Sequence, residues 1–147
     1  MQNKLELKHL SAYLPYGLKV QIGYFHYKGL VTEMVGLTED HAELIITNPK
    51  TEYFDFIDFF PILRPLSDLT KEIEHNGEKF IPMEYILSMT SRSFAESTQQ
   101  EELVTFFIKD VKIKMLAYKY VEKLFEWHFD IFGLISEGLA IDLNTVK

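Results

Sequence analysis

The residues best suited to chemistry in this chain of 147 stand together at Glu126-Trp127-His128-Phe129-Asp130. A histidine with carboxylates nearby suggests acid–base work, because imidazole titrates near neutral pH. On a helix, however, residues two apart point to different faces, so His128 and Asp130 would not meet. His128 instead falls at the helical spacing of Val121, Leu124, Phe125, Phe132 and Ile135, an apolar face. A histidine in that setting is ordinarily a core residue whose ring nitrogens need backbone or carboxylate partners. His128 is thus a weak catalytic candidate, and Trp127 beside it a weak binding candidate.

Arg64 is the second candidate. It is the only cation between Tyr53 and Leu66 and sits between Pro61 and Pro65. A guanidinium fixed in an apolar segment should pair with a carboxylate, here Asp58, Asp68 or Asp130; anion recognition is the alternative. The aromatic run Tyr53, Phe54, Phe56, Phe59 and Phe60 has the composition of a stacking platform for bases. Without a basic groove beside it, core packing or a protein interface explains it better, which makes Tyr53 and Phe54 binding candidates. Lys109, Lys112, Lys114, Lys119 and Lys123 form the one basic patch; a solvated face is the usual origin of such a cluster.

No phosphate loop, GxGxxG, HExxH, GxSxG or calcium loop is spelled anywhere. His9, His26, His41, His75 and His128 are scattered without metal-ligand spacing, so neither a metal nor a cofactor is expected. Cysteine is absent, which excludes disulfides, thiolate catalysis and Cys-type zinc sites and fits an intracellular location. The opening MQNKLELKHL lacks the apolar block of a signal peptide, and no run of about 18 apolar residues suggests a membrane span.

The elements that would position these residues follow from periodicity. Residues 4–14 read as a short helix or turn, stopped by Pro15-Tyr16-Gly17. Alternation predicts strands over 18–25, 27–37, 42–47 and 51–57, with Asn48-Pro49 as a turn. Two prolines hold 59–66 extended. Ser67 or Asp68 would cap a short helix carrying Leu69 and Ile73, ended at Asn76-Gly77, and Pro82 would open another to Met89 with Tyr85 and Ile86 buried. Residues 90–100 are polar and loop-like, with capping-box spellings at Ser93/Glu96 and Thr98/Glu101. Residues 101–115 suit either helix or strand, with Val111, Ile113 and Met115 alternating against Lys112 and Lys114 in the manner of a strand. Leu116 to Gly138 reads as a long core helix, apolar on most sides, that covers the sheet. Residues 139–146 form an extended tail that docks on the domain.

Composition supports a packed globule: 47% of residues are hydrophobic and 14% aromatic, too rich for a disordered chain. The expected fold is an α+β single domain over 1–147, strand-rich over 1–60 and helix-rich over 61–147. Its N-terminal antiparallel sheet would be a small-barrel-like meander packed against C-terminal helices. The net charge of −7 disfavours nucleic acid and anionic membranes and favours a basic partner surface.

Three segments, LPYGLKVQ (14–21), PILRPLSDLTKEIEHNGEKFIP (61–82) and VEKLFEWHFDIFGLISEGLAIDLNTV (121–146), carry a family likeness. They resemble a family of small uncharacterised proteins encoded by phages and prophages of gut bacteria. The resemblance implies a small cytoplasmic protein acting in a bacterial host cell and carries over no functional residue. The leading expectation is therefore a non-enzymatic phage-type accessory protein that binds another protein, either a host factor or itself. The alternatives are a nucleic-acid-binding module using the small sheet and the lysines of 109–123, and a small enzyme using His128.

Overall fold

The computed structural model describes residues 4–88 and 118–146. Five strands run in near succession: β1 (Lys19–Ile22), β2 (Val31–Leu37), β3 (His41–Thr47), β4 (Lys50–Asp55) and β5 (Phe59–Leu63). With β8 (Ile141–Asp142) they build a six-stranded sheet in the order β4-β3-β2-β1-β5-β8, antiparallel except for the β5–β8 pair. A hairpin of β6 (Ile73–His75) and β7 (Glu78–Phe80) stands apart from this sheet. The described helices are short: α1 (Leu7–Leu10) with a 3-10 turn over Ser11–Tyr16, α2 (Pro82–Ser88) and α3 (Tyr118–Glu126). The fold is α+β.

Alternation carries the sheet. Val20 and Ile22, Met34, Ala42 and Leu44, and Phe54 point to one face and are buried there with Phe59 and Leu63. The predicted cover for that face was the C-terminal helix. Instead Leu5, Leu10 and Tyr13 from the N-terminal segment cover it, together with Leu134 and Ala140. Burying such side chains contributes roughly 1.5–3 kcal/mol each before entropy is counted. A second core gathers Leu69, Ile73, Met83, Ile86, Leu124, Trp127, Phe129 and Ile131 under α2, α3 and the hairpin. Phe125 packs against both cores.

The long helix over 116–138 is replaced by α3 and a coiled strap, residues 127–138. The reason lies in how α3 ends. His128 takes the left-handed conformation (φ 63°), its N–H bonds the Phe125 carbonyl at 3.0 Å, and the Phe129 N–H bonds Leu124 O at 2.9 Å. Those two bonds form the closing pattern that glycine usually supplies, with apolar Phe129 folding back on Leu124. Beyond it Trp127, Phe129 and Ile131 are buried at a spacing of two, the period of an extended chain. Asp130 then accepts the Leu134 and Ile135 N–H groups at 2.8 and 2.9 Å, turning the strap. Gly138, read as a helix-ending residue, is left-handed (φ 76°) and closes that turn.

Beside α2 and α3, the described residues of the second half hold three further strands and part of a fourth. Residues 59–63, expected only as an extended connection, form β5 between β1 and β8. Phe59, Pro61, Ile62 and Leu63 are all buried, as befits a strand covered on both faces. Asn76 and Gly77 both have positive φ (52° and 83°) and make a hairpin turn rather than a helix end. Only a 3-10 turn, Leu66–Thr70, precedes it. Pro82 opens α2 as expected; Ile86 is buried, but Tyr85 is exposed. The tail docks through β8. The expectations for 90–115 and their capping boxes lie outside the described residues.

Leu63 is fully buried in β5, whereas Ile57 is 75% exposed before it. Leu63→Ala should cost about 2–5 kcal/mol and Ile57→Ala less than about 0.5, read from urea midpoints. Similar midpoints for the two variants would contradict the placement of β5.

Candidate functional site

The structure brings three of the five sequence candidates, Arg64, Trp127 and His128, to one joint where the strap crosses the end of β5. Residue 64 bonds the strap like a short parallel strand: its N–H donates to His128 O and its C=O accepts from Asp130 N, each at 2.8 Å. The side chain adds two bonds. Nε donates to Trp127 O at 3.1 Å, and Nη2 donates to Glu74 O in β6 at 2.7 Å. A carboxylate partner was expected; carbonyls take that place. Asp130 is occupied by strap amides, and Asp68 acts on Arg64 only through space. Burial lowers the Arg64 pKa and Asp68 opposes that shift.

Asp68 itself is buried. Its Oδ2 accepts from Asn144 Nδ2 at 2.8 Å, and Lys71 Nζ lies 3.3 Å from Oδ1. The Lys71 contact is an ion pair whose angle falls short of a hydrogen bond. This link fastens the tail after β8 to the turn after β5.

His128 Nε2 donates to the Tyr16 carbonyl at 2.8 Å, which fixes the tautomer because a carbonyl only accepts. Its ring meets His75 edge to face at 5.3 Å. Burial, reinforced by His75, Arg64 and Lys19, pushes its pKa down to about 4 against the pull of the Tyr16 bond. The ring is therefore neutral at pH 7. Next to it, buried Tyr13 donates to Phe129 O at 2.5 Å, pinning the strap to the N-terminal turn.

Tyr53 and Phe54 lie elsewhere, on β4, and alternation separates them. Phe54 is buried in the first core, while Tyr53 is 59% exposed and donates to Glu43 at 3.4 Å. Phe59 is buried as well, so the aromatic run does not present one stacking face. Of the lysine patch, Lys109, Lys112 and Lys114 lie outside the described residues, as does the side chain of Lys119. Lys123 bonds Glu126 at 3.1 Å.

On the outer side of the joint is a cleft of about 260 Å³ lined by His75, Asn76, Glu78, Phe80, Tyr85, Lys123, Glu126 and Trp127. Phe80, Tyr85 and Trp127 touch one another, with ring centroids 5.0, 5.1 and 6.0 Å apart. Of its lining, sequence reasoning singled out Trp127 with Glu126 beside it, and Lys123 in the basic patch. The missed signal was Asn76-Gly77 between IEH and EKF, a hairpin spelling that sets His75, Glu78 and Phe80 beside α3. Among the described residues, no group of three His, Asp or Glu side chains is placed to hold a metal ion. No described helix is long and apolar enough to cross a membrane.

No family model, curated protein or solved structure matches the chain.

The neutral His128 makes a signed prediction. Its folded pKa lies below the unfolded value near 6.5, so its contribution is complete above that value and is lost as pH falls toward 4. The loss is at most about 3 kcal/mol. His41 has the opposite sign: Asp40 and Asp55 hold it at 2.7 and 2.6 Å, its pKa is raised mainly by the Asp40 bond, and its contribution fades as pH rises. Unfolding of the wild type and His128→Gln from pH 7 to 4 should show the variant losing less stability toward acid. Parallel curves would contradict a buried neutral ring.

Proposed function

We propose that the chain is a non-enzymatic accessory protein of phage type whose work is to bind another protein. The observation that supports this reading most is the turn joining β1 to β2. Tyr24, Phe25, Leu30 and Val31 are 50%, 69%, 37% and 41% exposed there, an apolar group at one end of the sheet. Phe25 also holds a left-handed backbone (φ 52°), which costs a non-glycine residue about 1–2 kcal/mol. That strain places the ring in water, against Tyr24 at 4.8 Å and His26 at 5.3 Å, rather than in a core. Strain combined with exposed apolar surface is a mark of interaction sites.

The acidic net charge opposes association of two like copies and favours a foreign partner with a basic, partly apolar face. His128, neutral and tied to the Tyr16 carbonyl, fits a structural role better than acid–base catalysis. We also read the sheet as curled in the manner of a small barrel. The register shifts between Met34 and Gly36 and between Ile45 and Thr47 support this, since bulges bend strands.

Phe25→Gly tests the interface reading with two opposed readouts. Relief of strain should raise stability by roughly 0.5 kcal/mol, the strain less glycine's entropy cost. Partner capture from a bacterial lysate, followed by cross-linking, should fall about tenfold, the loss of one aromatic anchor. Equal capture by the two proteins would contradict the turn as the interface. A dimer in concentration-dependent light scattering that Phe25→Gly abolishes would make the partner a second copy.

A further inference from the structure

We infer that the cleft between the β6–β7 hairpin and α3 binds an alkylammonium group, the end of a lysine-type side chain carried by the basic partner. This rests on the protein-binding reading and deepens it by naming the chemistry recognised.

The walls are Phe80, Tyr85 and Trp127, whose planes meet at 52°, 53° and 89°. Rings set at steep angles form a corner, which suits a compact cation rather than a flat guanidinium that stacks on one face. The Tyr85 wall already holds such a cation from within the chain. Lys123 Nζ stands 5.4 Å from the Tyr85 ring centroid and 3.1 Å from Glu126 Oε2. Burial works against this ammonium, but Glu126 and Tyr85 more than offset it, so its pKa is raised.

Charge remains to be met on the other side. Of the described residues lining the cleft, Glu78 and Glu126 are anionic and Lys123 is cationic. Burial and the nearby Arg64 lower the His75 pKa, which keeps its ring from supplying a second positive charge at neutral pH. Among the described residues one negative charge is left over. At about 260 Å³ the space falls below the usual range for drug-sized ligands, roughly 300–1,000 Å³, and matches a single side-chain end. Tyr85 is 41% exposed at the mouth, so the site opens to solvent.

Trp127 is the chain's one tryptophan, and its fluorescence reads the cleft without any protein partner. The probes are butylammonium chloride and methylguanidinium chloride, with sodium chloride at matched ionic strength as the blank. The wild type should give a saturable change with butylammonium and a weaker response to methylguanidinium. Tyr85→Ala should weaken binding about tenfold and Glu126→Gln about threefold. Lys123→Met removes the internal competitor and should tighten binding about threefold, a gain that loss of fold would not produce. A response no greater than the sodium blank, tighter binding of methylguanidinium, or no gain in Lys123→Met would each overturn the inference. None of these results bears on the β1–β2 turn, whose own test is partner capture.

Discussion

The rest of the structure depends on how one buried guanidinium is satisfied. Arg64 is only 9% exposed, and such a group inside a protein needs partners for its donors. It finds two backbone carbonyls, Trp127 O in the strap and Glu74 O in the hairpin, while its own main chain bonds His128 and Asp130. One residue thus joins the end of β5, the strap and β6. Hydrogen bonds to a charged donor contribute about 1.5–3 kcal/mol each, and breaking them leaves a charge buried. The two cores meet at this point, with Phe125 reaching into both. The cleft follows from it, because fastening Glu74 sets the hairpin beside α3.

Much of the sheet was legible because its strands are half-buried, so the period of two is printed in residue types. Val20 and Ile22, Ala42 and Leu44, and Phe54 all point inward as alternation requires. β5 was less legible, since Pro61 argues against an interior strand and its continuous burial removes the alternation. The strap misled for a physical reason. A segment buried between two cores is apolar at nearly every position, and such a run fits helix and strand alike. What decided the matter was His128 in the left-handed conformation, which is uncommon outside glycine; histidine is enriched there, but one such residue does not outweigh an apolar run.

The candidate site was half legible. Arg64, Trp127 and His128 stood out in the sequence as a buried cation, a lone tryptophan and a histidine on an apolar face, and they do meet. Their partners were hidden because they are backbone carbonyls, which no side-chain pattern records. The outward-facing residues His75, Glu78 and Tyr85 were hidden for another reason: their convergence depends on a hairpin turn and on where α3 stops. The two surfaces proposed for binding are thus left over by the fold's own constraints. The turn at Phe25 and the cleft at Trp127 lie on different elements, and each presents aromatic rings to solvent or to a small void.

If Arg64 joins β5, the strap and β6 into one cooperative unit, its seam opens only when the whole molecule unfolds. Native-state hydrogen exchange of the Arg64 and Asp130 amides tests it directly, with the Val20 amide of β1 as the reference. The account predicts protection of all three at the level of global unfolding, with the same dependence on denaturant. Fast exchange at Arg64 and Asp130 while Val20 stays protected would contradict it, and would make the strap a separately opening unit.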